Sequence, residues 1–151
     1  MILSEEVKKK IEEEYNKFVE KQYAGKTKKE RQKLGQFFTP PQLTIKMLEK
    51  FEDLNGNILD PTCGAGGLLA AAILAGASPD NIYGIELDEA VRQIAVERLG
   101  LLGVDESHIV LGDALKEETW EKFDEIKPDA NNLDEVFKII DSVTACGDNE
   151  C

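Results

Sequence analysis

One histidine and three cysteines in 151 residues leave little for metal or disulfide chemistry. His108 stands alone, and Cys63, Cys146 and Cys151 show no ligand spacing. Neither a structural zinc site nor a disulfide framework is expected. Long apolar runs are also missing. Leu68 to Ala75 is the longest, far short of the roughly 20 residues of a membrane span. The first residues alternate glutamate and lysine without the apolar core of a signal peptide. These absences point to a reducing cytoplasm. Excess positive charge is lacking too: 18 basic against 30 acidic side chains give a net charge of −12. Most of the surface therefore repels nucleic acid.

What remains is the composition of an ordinary folded domain. Apolar residues make up 42 % and charged residues 32 %, which argues against wholesale disorder. The length suits one domain. The charge is uneven. Residues 21–50 hold eight basic and two acidic side chains, whereas residues 51–151 hold six basic and 22 acidic. Only Lys21 to Lys33, with Lys26, Lys28, Lys29 and Arg31 between them, is suited to face phosphate. The plainer reading of that run is a solvated, mobile charged linker.

Hydrophobic spacing outlines the elements. Ser4 caps a helix whose first turn holds Glu5 and Glu6, and Val7, Ile11, Tyr15, Phe18 and Val19 recur at helical spacing up to about Tyr23. That helix packs on the domain or meets a partner. Gly25 and the basic run break it. Gly35 to Pro41 is a loop in which Thr39 is the expected cap and Pro40 the first-turn residue of the next helix. Leu43, Met47, Leu48 and Phe51 form that helix's buried face. Strand and helix then alternate. Ile58–Leu59 is a strand, Asp60 to Gly67 a glycine-rich turn, and Leu68 to Ala75 a buried helix. Asn81 to Leu87 is the second strand, Glu89 to Leu99 a helix capped by Asp88, and His108 to Leu111 the third strand. This order predicts a parallel α/β sheet. Phe123 to Ile126 is a candidate fourth strand. Leu133, Val136, Phe137, Ile140 and Val143 outline a last amphipathic helix.

Ligands of open parallel sheets bind beyond the carboxyl ends of the strands, and three groups fall there. In Asp60–Pro61–Thr62–Cys63–Gly64–Ala65–Gly66–Gly67 the glycines allow a tight turn and close backbone approach to a ligand. The spacing is not that of a dinucleotide fingerprint, because Leu69 stands at the third glycine place. Glu86 closes the second strand and suits the hydroxyls of a ribose. Asp113 follows the third strand and suits an exocyclic amine, with Leu87 and Ala114 as apolar faces for a ring. A nucleoside with an amino-acid or phosphate tail fits these parts. Cys63 has no neighbouring base in the sequence and reads as a small loop residue rather than a nucleophile.

Gly35–Gln36–Phe37–Phe38–Thr39–Pro40, followed by the Asp60 to Gly67 loop, resembles the N-terminal part of adenine-N6 DNA methyltransferases. The likeness is to modification subunits of type I restriction systems and their short phage-borne relatives, over roughly residues 30 to 115. It implies a Rossmann-like methyltransferase fold, truncated and carrying an N-terminal helical extension, with S-adenosylmethionine as cofactor. The expected organisation is a helix and basic linker over 1–34, a cofactor-binding domain over 35–145 and a tail over 146–151. By this resemblance Phe37, Phe38 and Thr39 of the leader hold the methionine part. They share that role with Asp60, Thr62, Cys63, Gly64, Ala65 and Gly66 of the loop. Glu86 would hold the ribose and Asp113 the adenine amine, beside Leu87 and Ala114.

The family's catalytic Asn-Pro-Pro-aromatic element accepts hydrogen bonds from the target amine and stacks on the flipped base. Its expected place is Asp129–Ala130–Asn131–Asn132, which holds no adjacent prolines. The one adjacent pair in the chain is Pro40–Pro41. No catalytic residue is therefore assigned. Three readings follow. The first is an adenine-N6 DNA methyltransferase homologue whose transfer chemistry is absent or completed by a partner. The second is a non-catalytic cofactor-binding module or decoy subunit of a modification complex. The third is a methyltransferase for another acceptor, which the leader argues against.

Overall fold

A computed structural model describes residues 1–125 and the strand at 137–139. The first helix, α1 (Glu5–Tyr23), starts where expected: Ser4 Oγ accepts from the Val7 amide at 3.2 Å. The basic run is solvated, as expected, but not irregular. It folds as α2 (Lys28–Gly35), because Thr27 and Glu30 form a reciprocal capping box, each side chain accepting from the other's backbone N–H at 3.1 Å. Lys, Arg and Gln are good helix formers once such a cap supplies a start. The next helix, α3 (Pro41–Leu48), begins one residue later than expected. Pro40, not Thr39, is its cap. A residue before proline is driven to extended backbone, and Pro40 has ψ 154°, so Pro41 takes the first helical place.

The sheet strands are β1 (Asn57–Asp60), β2 (Ile82–Glu86), β3 (Ile109–Leu111) and β4 (Phe137–Ile139). All pairings are parallel, in the order β3-β2-β1-β4. Helix α4 (Gly67–Leu74) links β1 to β2, and α5 (Glu89–Gly100) links β2 to β3. Strand order reverses at β1, which has β2 on one side and β4 on the other. The pairings Asp60↔Gly84 and Glu86↔Leu111 bring the carboxyl ends of β1, β2 and β3 to one edge.

Side chains of period two divide the core. Ile58, Ile82 and Ile109 join the layer built by α3, α4 and α5. Leu59, Tyr83, Ile85 and Val110 face the other way, against Phe123. That residue corrects one expectation. Phe123 and Asp124 end a helix, α6 (Glu117–Asp124), and are not a strand. Trp120 and Phe123, three apart, lie on one helical face, and the buried Phe123 ring meets Tyr83 edge-on at 5.8 Å. Ile126 lies outside the described residues.

The expected helix from Leu133 is corrected as well, since Phe137–Ile139 forms β4. Its aromatic and β-branched residues suit a strand, and pairing Asn57↔Phe137 through Leu59↔Ile139 satisfies the backbone of β1 on its second side. The rest of that segment, and the tail from Cys146, lie outside the described residues.

Helix α1 shares the domain's core, since Leu3 and Ile11 pack in the same cluster as Ile58 and Leu69. Arg98 of α5, almost fully buried, forms a bidentate ion pair with Glu14 and lies 3.9 Å over the Phe18 ring. Among the described residues no helix is long and apolar enough to cross a membrane.

Candidate functional site

A cavity of about 220 Å³ opens at the carboxyl ends of β1 and β2. Phe37 and Thr39 of the leader, Asp60, Thr62, Cys63 and Gly64 of the turn, and Glu86 of β2 all line it. Gln36, Met47 and Leu68 line it too. Sequence reasoning missed these three. Met47 and Leu68 read as core faces of helices, and Gln36 carried no signal beyond its place in the leader.

Each wall has a local cause. Asp60 is only 2 % exposed and accepts the Thr62 amide at 3.0 Å, which closes the first bend after β1. Gly64 and Gly66 both take left-handed backbone, φ +56° and +84°. A Cβ on Gly66 would lie 3.1 Å from the Leu99 side chain, so the turn is pressed against α5. The Cys63 amide donates to Ile85 O at 2.9 Å and ties the turn to β2. Glu86 spans the gap: Oε1 accepts from the Gly64 amide at 3.0 Å and Oε2 from the Asp88 amide at 2.8 Å. Asp88 caps α5 by accepting from the amides of Ala90 and Val91.

The field inside is negative. Asp60 and Glu86 are the charged side chains of the lining, without a lysine or arginine among them. Burial, then Asp60, then Glu86 push the Cys63 thiol well above its ordinary value. The protonated, buried thiol is a weak nucleophile.

Other candidate residues lie beside the cavity or behind it. Phe38 and Ala65 are buried in a separate cluster, where Phe38 meets Phe18 edge-on at 5.0 Å. They shape the wall from behind. Gly66 likewise serves the turn. Leu87, Asp113 and Ala114 do not line the cavity but sit at the neighbouring strand ends. The Gly112 amide donates to Glu86 O at 2.9 Å, which places the loop after β3 against the end of β2. Asp113 Oδ1 accepts from the Leu115 amide, and Ala114 O accepts from Trp120 Nε1. Leu87 and Leu115 are strongly exposed, at 69 % and 94 %. The expected catalytic place, Asp129 to Asn132, lies outside the described residues.

A second cleft of about 450 Å³ shares the Phe37 wall. Lys26, Lys33, Glu30 and Asp88 line it together with the apolar Leu34, Val91 and Ile94.

A family model described as N-6 DNA Methylase matches residues 7–138. The chain belongs to this family. The match runs from the first turn of α1 through the leader, the glycine turn and strands β1 to β3 into β4. A relative named Type II methyltransferase M.VspI, from Vibrio sp. (strain 343), is 36 % identical over 88 residues. That stretch covers 56 % of this chain and 22 % of the relative, so this N-6 DNA methylase family member spans about a fifth of the relative's length. No solved structure matches it.

Proposed function

We propose that this chain binds S-adenosylmethionine at the ends of β1 and β2 and forms the cofactor half of an adenine-N6 DNA methyltransferase. The observation that carries the reading is the Asp60–Gly64–Glu86 constellation in one cation-free cavity, on a chain of the N-6 DNA methylase family. The strand order β3-β2-β1-β4 supports a Rossmann-like sheet, whose ligands lie where the order reverses. A sulfonium is favoured by nearby carboxylates and disfavoured by nearby lysine or arginine.

Bound there, S-adenosylmethionine supplies an electrophilic methyl group. Asp60, Gln36 and Thr39 hold its amino-acid end, and Glu86 accepts from the ribose hydroxyls. Each carboxylate oxygen of Glu86 already takes one backbone N–H and keeps a second lone pair for a hydroxyl. Leu87, Asp113 and Ala114 frame the adenine at the next strand end. The turn's backbone excludes water from one side of the cofactor.

Titration calorimetry of the purified chain checks this. Binding is expected, and Glu86→Ala weakens it by about 1–3 kcal/mol, the cost of leaving buried hydroxyls unpaired. Equal affinity in parent and variant removes Glu86 from the site.

A second reading is a cofactor-binding module completed by another chain, and it makes a different prediction for transfer. The pure chain should then transfer labelled methyl to duplex DNA poorly, and a complementing modification subunit should raise the rate. Efficient transfer by the chain alone decides for the complete enzyme.

We propose that any DNA contact runs through the basic run Lys21 to Lys33, which holds α2 and its approach. Lys21 is withdrawn from it by an ion pair with Glu97 at 2.8 Å. Neutralising Lys26, Lys28, Lys29 and Arg31 should abolish salt-sensitive DNA binding. Each lost phosphate contact should lower the log–log salt slope by about 0.9. Unchanged binding counts against this surface.

A further inference from the structure

The cleft between α2 and α5 holds about 450 Å³, within the range of small-ligand sites. It is lined by four charges of both signs, and they are not equivalent. Glu30 Oε1 accepts from the Thr27 amide at 3.1 Å, in the capping box of α2. Asp88 Oδ1 accepts from the Ala90 and Val91 amides at 2.9 and 3.2 Å, in the cap of α5. Both acids are thus held against the ends of their own helices. Lys26 and Lys33 are exposed, and neither forms an ion pair among the described residues. The cleft therefore offers two available cations. Its floor is apolar, with Leu34 and Phe37 on the leader side and Val91 and Ile94 on the α5 side. Leu34, Phe37 and Ile94 are only partly buried, so the floor is open to a ligand.

Cations and floor select for different things. Lysines alone favour duplex DNA, which carries its phosphates more densely than a single strand. An apolar, aromatic floor gains only from a base whose face is free, and a duplex stacks those faces away. Lys28, Lys29 and Arg31 are exposed on the same helix but do not line the cleft. They serve any phosphate chain, whereas the cleft serves an opened one.

We propose that the cleft between α2 and α5 holds one unstacked nucleotide of single-stranded DNA, its base on the Leu34–Phe37–Ile94 floor and its flanking phosphates on Lys26 and Lys33. The chain then engages an opened strand in preference to a duplex. The proposal rests on the DNA reading of the basic run and not on the cofactor reading, so it is tested without S-adenosylmethionine.

The test measures fluorescence anisotropy of a labelled oligonucleotide of about 12 nucleotides, inside the site sizes of strand-binding grooves, and of its duplex at the same salt. The parent should bind the strand about fivefold more tightly than the duplex, the low end for one stacked base. Ala90→Glu puts a carboxylate into the cleft at an exposed position in the first turn of α5, where an acid suits the helix dipole. It should remove the strand preference. Gln32→Glu adds the same charge to α2 outside the cleft lining, and should weaken both forms alike while the preference stays. Free dAMP has the base and one phosphate but no flanking phosphate, and should compete about tenfold less well than unlabelled strand, or worse.

Duplex binding as tight as strand binding in the parent overturns the proposal and leaves the basic surface standing. So does a preference that survives Ala90→Glu, or one that Gln32→Glu also removes. Competition by dAMP equal to that of the strand assigns the cleft to a free mononucleotide and overturns the strand reading. Binding of neither DNA form overturns this proposal and the DNA reading together, and leaves the cofactor reading untouched. If Ala90→Glu does not fold, Lys33→Gln takes its place. It should weaken the strand more than the duplex, whereas Lys28→Gln, outside the lining, should weaken both alike. Equal effects of these two variants overturn the cleft.

Discussion

At Gly64 the backbone turns with φ +56°, and a Cβ there would approach Phe37 O at 3.4 Å. This is the point where leader, turn and Glu86 meet. Beside it, Cys63 is buried between Asp60 and Glu86, and a Cβ on Gly84 would lie 3.0 Å from its sulfur. The thiol titrates well above its ordinary value for the causes given, burial first and the two carboxylates after it. Thiolate, not thiol, is the reactive form. Cys63 should therefore resist iodoacetamide in native protein at pH 8 and react on unfolding, as read by mass spectrometry of its peptide. Rapid native alkylation would show a more open turn than the structure describes. Cysteine, threonine and two glycines in this loop were legible as a candidate site from their order alone. Which of them face the cavity was not, because a turn's φ values decide that, and Ala65 and Gly66 turn inward while Thr62 and Gly64 line the wall.

The helix α2 is the element whose existence depends most on its cap. None of its side chains is fully buried, although Leu34 in its last turn packs at the edge of the Phe18–Phe38 cluster, so the Thr27–Glu30 box is the main support of its first turn. The backbone and hydroxyl bonds from Thr27 hold the Glu30 carboxyl below its ordinary value near 4.5. A depressed folded-state pKa stabilises above the ordinary value and is lost as pH falls through the folded one. The first turn of α2 should therefore fray on acidification below about pH 4.5, and Thr27→Ala should fray it at neutral pH by removing one half of the box. Amide exchange at Glu30 and Arg31 reads both effects. A pH-independent α2 in the parent would show that other contacts hold it. The Thr-x-x-Glu signature was present in the sequence, but a run of six positive charges drew attention to solvation instead. Helix α6 and strand β4 were misread for a related reason. Phe123 to Ile126 and Phe137–Ile139 are short stretches with two apolar residues each, which suit either period, and the observed α6 and β4 follow from their surroundings. Tyr83 offered a ring to a helix face, and β1 offered an unpaired ladder.

Across the whole molecule, Arg98 joins the N-terminal helix to the sheet layer. Its guanidinium pairs with Glu14, stacks over Phe18 and reaches Ala65 O, the carbonyl just before Gly66 of the turn. The arginine side chain is 5 % exposed and the glutamate 19 %. Removing one partner of a buried pair strands the other charge. Arg98→Ala should cost roughly 3 kcal/mol in a denaturant titration, at the low end for such pairs because Glu14 keeps some water. Glu14→Gln should cost less, since the amide oxygen still accepts one guanidinium N–H. A loss below about 0.5 kcal/mol, the scale of an ordinary surface change, would show that α1 docks through Ile11 and Phe18 alone. Because Arg98 also touches the carbonyl of Ala65, Arg98→Ala should loosen the glycine turn and weaken the proposed S-adenosylmethionine binding in the same calorimetric titration.

Residue order alone was enough for the alternation of strands and helices up to Leu111, for the caps at Ser4 and Asp88, and for the acids that close successive strands. These are local matters: periodicity, side-chain length and hydrogen-bonding groups within a few residues of one another. The three-dimensional packing settled the rest. It chose which strand lies beside β1, turned Phe38 and Ala65 away from the cavity, and brought Gln36, Met47 and Leu68 into it. It also set the Glu86 carboxylate against an amide 22 residues earlier in the chain. Contacts of that kind depend on how the layers close over one another, and no local pattern of residues encodes the closing geometry.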